Sequence, residues 1–516
     1  MNNSAAILKA LIIYAICVPL ALVVGYMAVL AVNSPSYSNY IAIGVLALLL
    51  SAPILLRWHH PLLALSWNLP LTVFFLPGKP PAWLPLLVLS LGISVLQRAM
   101  NRNARFIPAP QITWPLLCLM LVVLLTAKLT GGIGLHALGS EVMGGKKYIY
   151  VLAGIFSFFA ITARRVPPHQ AGLFVAMFFL GGCLNALGDL ISFIPRSFYF
   201  LFLFIPADSY AYTGSVSTMR FAGVSAASSA AFSYMLARYG INGIFRAGKP
   251  WRMAAFMIIF ALSLFGGFRS ILLTCALIFL IQFFLEGMHR TQLLPIFAFV
   301  MVLLAVTCIP MANRLPVMVQ RALSVLPVNV DASVRWDAEA STNWRLDLWK
   351  ALLPQVPPHL LLGKGYAITA EDAQLMGRDS AFRSNFDPAQ QSLAISGDYH
   401  SGPLSVIIPF GIWGAITFLW FLIASVWALR RNRLYGDPAL QTVNTFLYAV
   451  FLAKIVMFFL VFGSLTSDLP GFVGFIGLSI CLNGGIGRPS RQVATAPVET
   501  PAHIPVRPRL LPALQR

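Results

Sequence analysis

The stretch Trp251–Gly287, WRMAAFMIIFALSLFGGFRSILLTCALIFLIQFFLEG, decides how the rest of the chain is threaded. It is one long apolar run, interrupted at its centre by Gly266-Gly267-Phe268-Arg269-Ser270. Paired glycines weaken a helix, and a guanidinium in mid-bilayer is costly, so a single straight lipid-facing span fits it poorly. Two short spans joined by a tight turn fit better, with Arg269 at the membrane surface. The choice matters downstream: one span in place of two would exchange the sides of the membrane for every later connection.

Outward from this stretch, apolar blocks begin near residues 8, 40, 61, 83, 111, 148, 170, 221, 252, 269, 292, 403, 440 and 469. Most are long enough to approach a hydrocarbon core of about 30 Å. The chain is 58% hydrophobic and only 10% charged, which cannot furnish the water-facing surface of a soluble protein of 516 residues. The expected fold is an all-α polytopic membrane protein with about fourteen transmembrane helices. Leu8–Val32 is too long for a signal-peptide core and lacks a small-residue cleavage site, so it is expected to remain as the first span.

The formal net charge of +20 does not point to nucleic acid, because the basic residues fall mainly in short loops between apolar blocks. With the N-terminus in the cytoplasm, every second connection is basic: Arg57, then Arg98, Arg102 and Arg105, then Arg164 and Arg165. The series continues with Arg238, Arg246, Lys249 and Arg252, then Arg290, then Arg430, Arg431 and Arg433, and finally the tail. Both termini are therefore expected inside, with Asn33–Tyr40, Pro195–Arg220 and the large Arg314–Gly402 loop outside. The chain divides into helices over 1–313 (about eleven spans), the outer loop 314–402, three spans over 403–487, and a disordered basic cytoplasmic tail over 488–516. Apolar residues at helical spacing predict a short loop helix over Trp344–Leu353. The six cysteines lie in or beside apolar blocks without metal-ligand spacing, so no metal or disulfide is implied. Asp189 and Lys454, inside two of the blocks, are expected to form a structural ion pair.

Polar groups at the outer face are the candidates for chemistry. Arg220 leads into Phe221-Ala222-Gly223, and Arg269 sits in the outer turn. The loop holds Thr342-Asn343-Trp344-Arg345-Leu346-Asp347-Leu348-Trp349 and Leu361-Leu362-Gly363-Lys364-Gly365, and ends in Asp398-Tyr399-His400-Ser401-Gly402-Pro403. Arginine grips phosphate oxygens in pairs and stays charged, and histidine serves as a base near neutral pH. A diphosphate leaving group held by arginines, with a histidine deprotonating an incoming hydroxyl, makes a workable glycosyl-transfer site. Singly, a lone arginine at a helix end is more often a snorkelling anchor.

The order of these elements resembles the O-antigen ligase and O-antigen polymerase superfamily of bacterial envelope glycosyltransferases. The likeness rests on Arg220-Phe221-Ala222-Gly223, Arg269-Ser270, Arg345 to Trp349, Leu361 to Gly365 and His400, between about Ser215 and Phe418. It implies a type-C-glycosyltransferase-like helical fold and a metal-independent, cofactor-free inverting enzyme of the bacterial inner membrane. Such an enzyme moves a glycan from undecaprenyl diphosphate to a glycan, lipid or protein acceptor at the periplasmic face, in lipopolysaccharide or exopolysaccharide assembly. By the same resemblance Arg220 and Arg269 hold the diphosphate, His400 activates the acceptor, and the loop carrying Arg345 caps the cavity. Asp398, two residues before His400, is placed to orient the imidazole. The chain departs from the family in having Ser401 where an asparagine commonly follows the histidine, and Val224-Ser225-Ala226-Ala227 where Asn-Pro-Asn is frequent. Ligase is the preferred label and polymerase the alternative. A lipid-linked oligosaccharide flippase would instead show repeats and paired broken spans, and the two halves carry no convincing repeat.

Overall fold

The computed structural model describes residues 37–74, 76, 78–101, 105–131, 145–190, 193–206, 210–213, 216–246, 248–367 and 397–489, with 22, 25 and 26. The rest of the expected first span, the residues from 490 onward and the part of the large loop over 368–396 lie outside the described residues. Helices dominate: α1 (Tyr37–Ser66), α2 (Trp83–Met100), α3 (Pro110–Thr130), α4 (Gly145–Ile161), α5 (Ala171–Leu180) and the short α6 (Ala186–Asp189) come first. A hairpin of β1 (Tyr210–Thr213) and β2 (Val216–Met219), paired antiparallel, then leads into α7 (Ala222–Ile244). α8 (Pro250–Ser263), α9 (Arg269–Leu285) and α10 (Leu293–Met311) follow. The loop carries α11 (Val317–Leu323), α12 (Ala332–Leu352) and α13 (Val356–His359); α14 (Gly402–Tyr435), α15 (Gln441–Leu460) and α16 (Leu465–Asn483) close the bundle.

Among the described residues six helical stretches are long and apolar enough to cross a membrane: Trp83–Met100, Pro110–Thr130, Pro168–Asp189, Gly402–Tyr435, Pro438–Leu460 and Leu465–Asn483. Pro250–Gly266 and Arg269–Leu285 are shorter apolar helices. The break between them falls where the sequence puts it, with Gly267 in the left-handed region at φ +67°. The hairpin is an addition to the all-α expectation.

Two expectations are corrected. The blocks beginning near 40 and 61 do not form separate helices; α1 runs through Pro53 and Pro61 to Ser66. His59 Nδ1 against Ser90 Oγ (2.9 Å) and His60 Nε2 donating to Ile161 O (2.8 Å) hold α1 to α2 and α4 across Pro61. The described residues of 67–82 are irregular, because Pro70, Pro80 and Pro81 withhold N–H groups. Such backbone is tolerated at membrane depth when protein satisfies it. Here Thr72 N–H donates to Phe204 O (2.6 Å), Val73 N–H to Pro80 O (2.8 Å), and Asn68 Nδ2 to Phe178 O (2.7 Å). The second correction concerns Lys454, which pairs with Asp468 at 2.5 Å; Asp189 instead accepts from Val224 N–H at 2.7 Å, in the first turn of α7.

The core is aromatic and lies between α14, α15 and α16 and the helices packed on them, with Phe410, Phe421, Phe446, Phe451 and Phe472 buried. The connections separate into two ends. One end gathers arginines: Arg431 Nε donates to Gly487 O (2.9 Å), Arg433 Nη2 to Leu285 O (2.5 Å), and Arg252 Nη1 to Gly243 O (3.2 Å). Arg165 belongs to the same end, since a Cβ on Gly484 would stand 2.6 Å from its Cδ. The opposite end holds Arg220, Arg269, the loop helices and His400.

Candidate functional site

Arg220 lies between the hairpin and α7, and it is only 6% exposed. Its position follows from three local constraints. Phe221 N–H donates to Phe265 O (3.3 Å), joining the start of α7 to the end of α8. The Asp189 carboxylate caps α7 at Val224, where the N–H groups are otherwise unsatisfied and the helix dipole favours an anion. A Cβ on Gly223 would stand 2.1 Å from Asn185 O. The glycine of Arg-x-x-Gly therefore lets α7 reach α6, which sets where the arginine sits.

Arg269 is the first residue of α9. Its turn is pressed onto α7, since a Cβ on Gly266 would lie 2.6 Å from Ser225 Cβ, and Ser225 Oγ donates to Ser263 O. The other side of the turn meets α11: a Cβ on Gly267 would be 3.5 Å from Met318 O and 3.8 Å from Arg321 Cδ. Arg269 Nη2 donates to Thr342 Oγ1 at 3.1 Å, and Arg321 Nε stands 2.5 Å from Asp337 Oδ2, so α12 is tied to the arginines at two points.

α12 spans the gap between these arginines and His400. Leu348 and Leu352 pack with Tyr399, Leu404 and Ile408, seating the helix on the first turns of α14. Trp344, one turn earlier, meets the His400 ring edge-on at 5.6 Å between centroids. Phe462 faces the same ring at 5.2 Å and lies 5.8 Å from the Arg345 guanidinium carbon. His400 thus sits in an aromatic cradle beside Arg345. Its φ of +47° is unusual for a residue other than glycine, and such backbone persists only where the surroundings enforce it. Enforcement comes from close packing just after it: a Cβ on Gly402 would lie 2.2 Å from Phe458 O, and Ser405 Oγ accepts from Leu465 N–H at 2.9 Å.

The electrostatics follow from burial and from four guanidiniums sharing one region. Arg321 acts on Arg220, Arg269 and Arg345, and Asp337 opposes it at Arg220 and Arg269. Burial, then Arg321, lowers the pKa of Arg220 and of Arg345, yet guanidiniums remain charged at any working pH. Burial holds His400 below the ordinary imidazole value; Asp398 opposes that shift and Arg345 adds to it. The neutral imidazole, the form able to accept a proton, is therefore favoured at neutral pH. Asp398 is also within electrostatic reach of Lys147.

Of the residues singled out in the sequence, Arg220, Arg269 and Arg345 converge on Arg321, and His400 joins them through Arg345 and Phe462. The Leu361–Gly365 motif has a different part. α14 is broken at Gly411 (φ +62°), and Ile412 N–H turns aside to donate to Leu360 O at 2.7 Å. The carbonyls of Ile408 and Pro409 instead accept from Lys364 N–H (2.8 Å) and Gly365 N–H (3.0 Å). The motif is a backbone strap that completes a broken helix. Its glycines are required for contact, since a Cβ on Gly363 would stand 2.2 Å from Pro409 O. The sequence does not single out Arg321, Asp337 or Phe462. Nothing in the primary structure separates Arg321 from Arg314 or Arg335, which share its loop.

No curated protein matches the chain. Residues 253–419 match the model of a family described as O-antigen ligase. The matched segment runs from α8 into α14 and includes Arg269, Arg321, Asp337, Arg345, Asp398 and His400, whereas Arg220 precedes it. Over that segment the chain is similar to the O-antigen ligase family.

Proposed function

We propose that this protein is an O-antigen ligase-like glycosyltransferase of the bacterial inner membrane, moving a glycan from undecaprenyl diphosphate to an acceptor hydroxyl at the periplasmic face. The observation that carries this reading is the meeting of Arg220, Arg269 and Arg345 with His400 at the end of the bundle opposite the basic connections. Gathering of arginines at the other end supports placing that end, and both termini, in the cytoplasm. The family match supports activity of the ligase or polymerase type.

In this reading Arg220 and Arg269 hold the diphosphate of the donor. The neutral His400 imidazole takes the acceptor's proton as the acceptor oxygen attacks the anomeric carbon. The bond from that carbon to the diphosphate oxygen breaks, and the departing negative charge stays on the phosphates between the guanidiniums. Base and leaving group on opposite sides of the carbon give inversion. Arg345, on the loop helix, caps the site, and Asp398 sets the basicity of the imidazole. No step requires a metal or cofactor.

The test is glycan transfer in a strain lacking the protein, complemented with His400→Ala, Arg220→Ala or Arg269→Ala at matched membrane levels. Loss of transfer in all three, with the lipid-linked donor accumulating, is expected. Normal transfer in all three would overturn the assignment and favour a flippase. An acceptor that is itself lipid-linked glycan would make the protein a polymerase.

A further inference from the structure

The arginine cluster contains a carboxylate that the transfer reaction does not use. Arg321 Nε stands 2.5 Å from Asp337 Oδ2, with the two side chains 13% and 29% exposed. Arg321 lies at the centre of the cluster. α11, which carries it, rests on the Gly267 turn that begins α9, and that turn is pressed against α7 just beyond Arg220. α12, which carries Asp337, is bound to Arg269 through Thr342. Arg321 is within electrostatic reach of Arg220, Arg269 and Arg345, and like charges so placed repel more strongly as water is excluded. Asp337 relieves that repulsion at Arg220 and Arg269 as well as pairing with Arg321.

A side-chain carboxylate is a weak competitor for such a site. It brings one charge and two oxygens, whereas a diphosphate diester brings two charges and more oxygens to engage several guanidinium forks together. Asp337 is also part-exposed, on a helix that the loop contributes, so its oxygens can leave without burying an unpaired charge.

We propose that Arg321 is a third guanidinium of the diphosphate site and that Asp337 is an internal anion occupying that site until the donor's diphosphate displaces it. This rests on the reading that a diphosphate-linked donor binds at Arg220 and Arg269, and it adds a competition that this reading does not require. The loop helix, latched to the arginines through Asp337, exchanges one anion for another when the donor arrives.

The test uses the full-length protein in lipid nanodiscs, with binding of farnesyl diphosphate and of inorganic pyrophosphate measured by calorimetry. Asp337→Asn is expected to bind both probes about fivefold tighter than the unmodified protein, and Arg321→Ala about tenfold weaker. Asp337→Ser, smaller and still polar, serves as a second variant should the asparagine form not elute as a folded species. Unchanged or weaker binding by a folded Asp337 variant would overturn the proposal and leave Asp337 a structural partner. Unchanged binding by Arg321→Ala would place Arg321 outside the site. Tightening toward farnesyl diphosphate alone would put the effect on the lipid chain and overturn the competition at the phosphates. Unmodified protein that binds neither probe would remove the functional reading as well. Binding that Arg220→Ala and Arg269→Ala abolish, but that Asp337→Asn leaves alone, removes only this inference.

Discussion

The Arg269 guanidinium donates to Thr342 Oγ1 at 3.1 Å, binding the first residue of a short apolar helix to the helix of the long loop. A residue that would ordinarily snorkel to the surface is thus held in a fixed place among other arginines. Thr342→Val keeps the shape of the threonine and removes the acceptor. A hydrogen bond to a charged group is worth about 1.5–3 kcal/mol, less at this part-exposed position. The donor KM is expected to rise about fivefold with little change in thermal stability. An unchanged KM would mean that the contact does not position Arg269 for the donor.

The pH dependence of transfer carries a sign. In the proposed reaction His400 acts when neutral, and burial with Arg345 holds its pKa below the ordinary imidazole value while Asp398 raises it. Activity is therefore expected to fall on the acid side, at a pH below the ordinary imidazole range. Asp398→Asn removes the raising influence and moves that limb further down. Arg345→Ala removes a lowering influence and moves it up. The profiles of kcat/KM for the three proteins check this, and a limb that moves the wrong way in either variant would disqualify His400 as the titrating base.

The strap across α14 predicts a stability effect distant from the chemistry. Gly363 has φ +75°, and a Cβ there would stand 2.2 Å from Pro409 O; at Gly365 a Cβ would meet Thr130 Oγ1 at 2.2 Å. Either glycine changed to alanine is expected to cost about 2–4 kcal/mol, from strained backbone and the displaced helix break. Lys364→Ala keeps the backbone donor to Ile408 and is expected to be far milder. Melting of the purified proteins in detergent separates the two cases.

The partners of Asp468 and Asp189 can be told apart by double-mutant cycles. Lys454 Nζ stands 2.5 Å from Asp468, and Asp189 caps α7 through Val224. Lys454→Met and Asp468→Asn are expected to couple, whereas Lys454→Met and Asp189→Asn should add within about 0.5 kcal/mol. Measurable coupling between Lys454 and Asp189 would contradict the observed pairing.

Much of the scaffold was legible because periodicity and charge act locally. The paired glycines at 266 and 267 announced a break, and the Trp344–Leu353 helix was readable from its spacing, though it extends back to Ala332. Helix α1 was not legible, because whether Pro61 ends a helix depends on what His59 and His60 meet thirty and a hundred residues away. The same holds for the Leu361–Gly365 motif, whose meaning lies in the unsatisfied carbonyls of a helix that comes later in the chain. Arg220, Arg269 and His400 stood out by type and order. Arg321 did not, because its significance comes from the three other guanidiniums that folding brings around it.

Gly397 lies against Tyr366, where a Cβ would stand 3.2 Å from the ring. Tyr366 is itself fastened, its N–H donating to Tyr148 Oη at 2.8 Å. Tyr366 and Gly397 therefore meet in a clasp immediately ahead of His400. Tyr148 and Tyr366 thus hold the backbone entering His400, while Trp344 and Phe462 face its ring. The imidazole is accordingly fixed twice over, from its backbone and from its ring, by two separate pairs of aromatic residues.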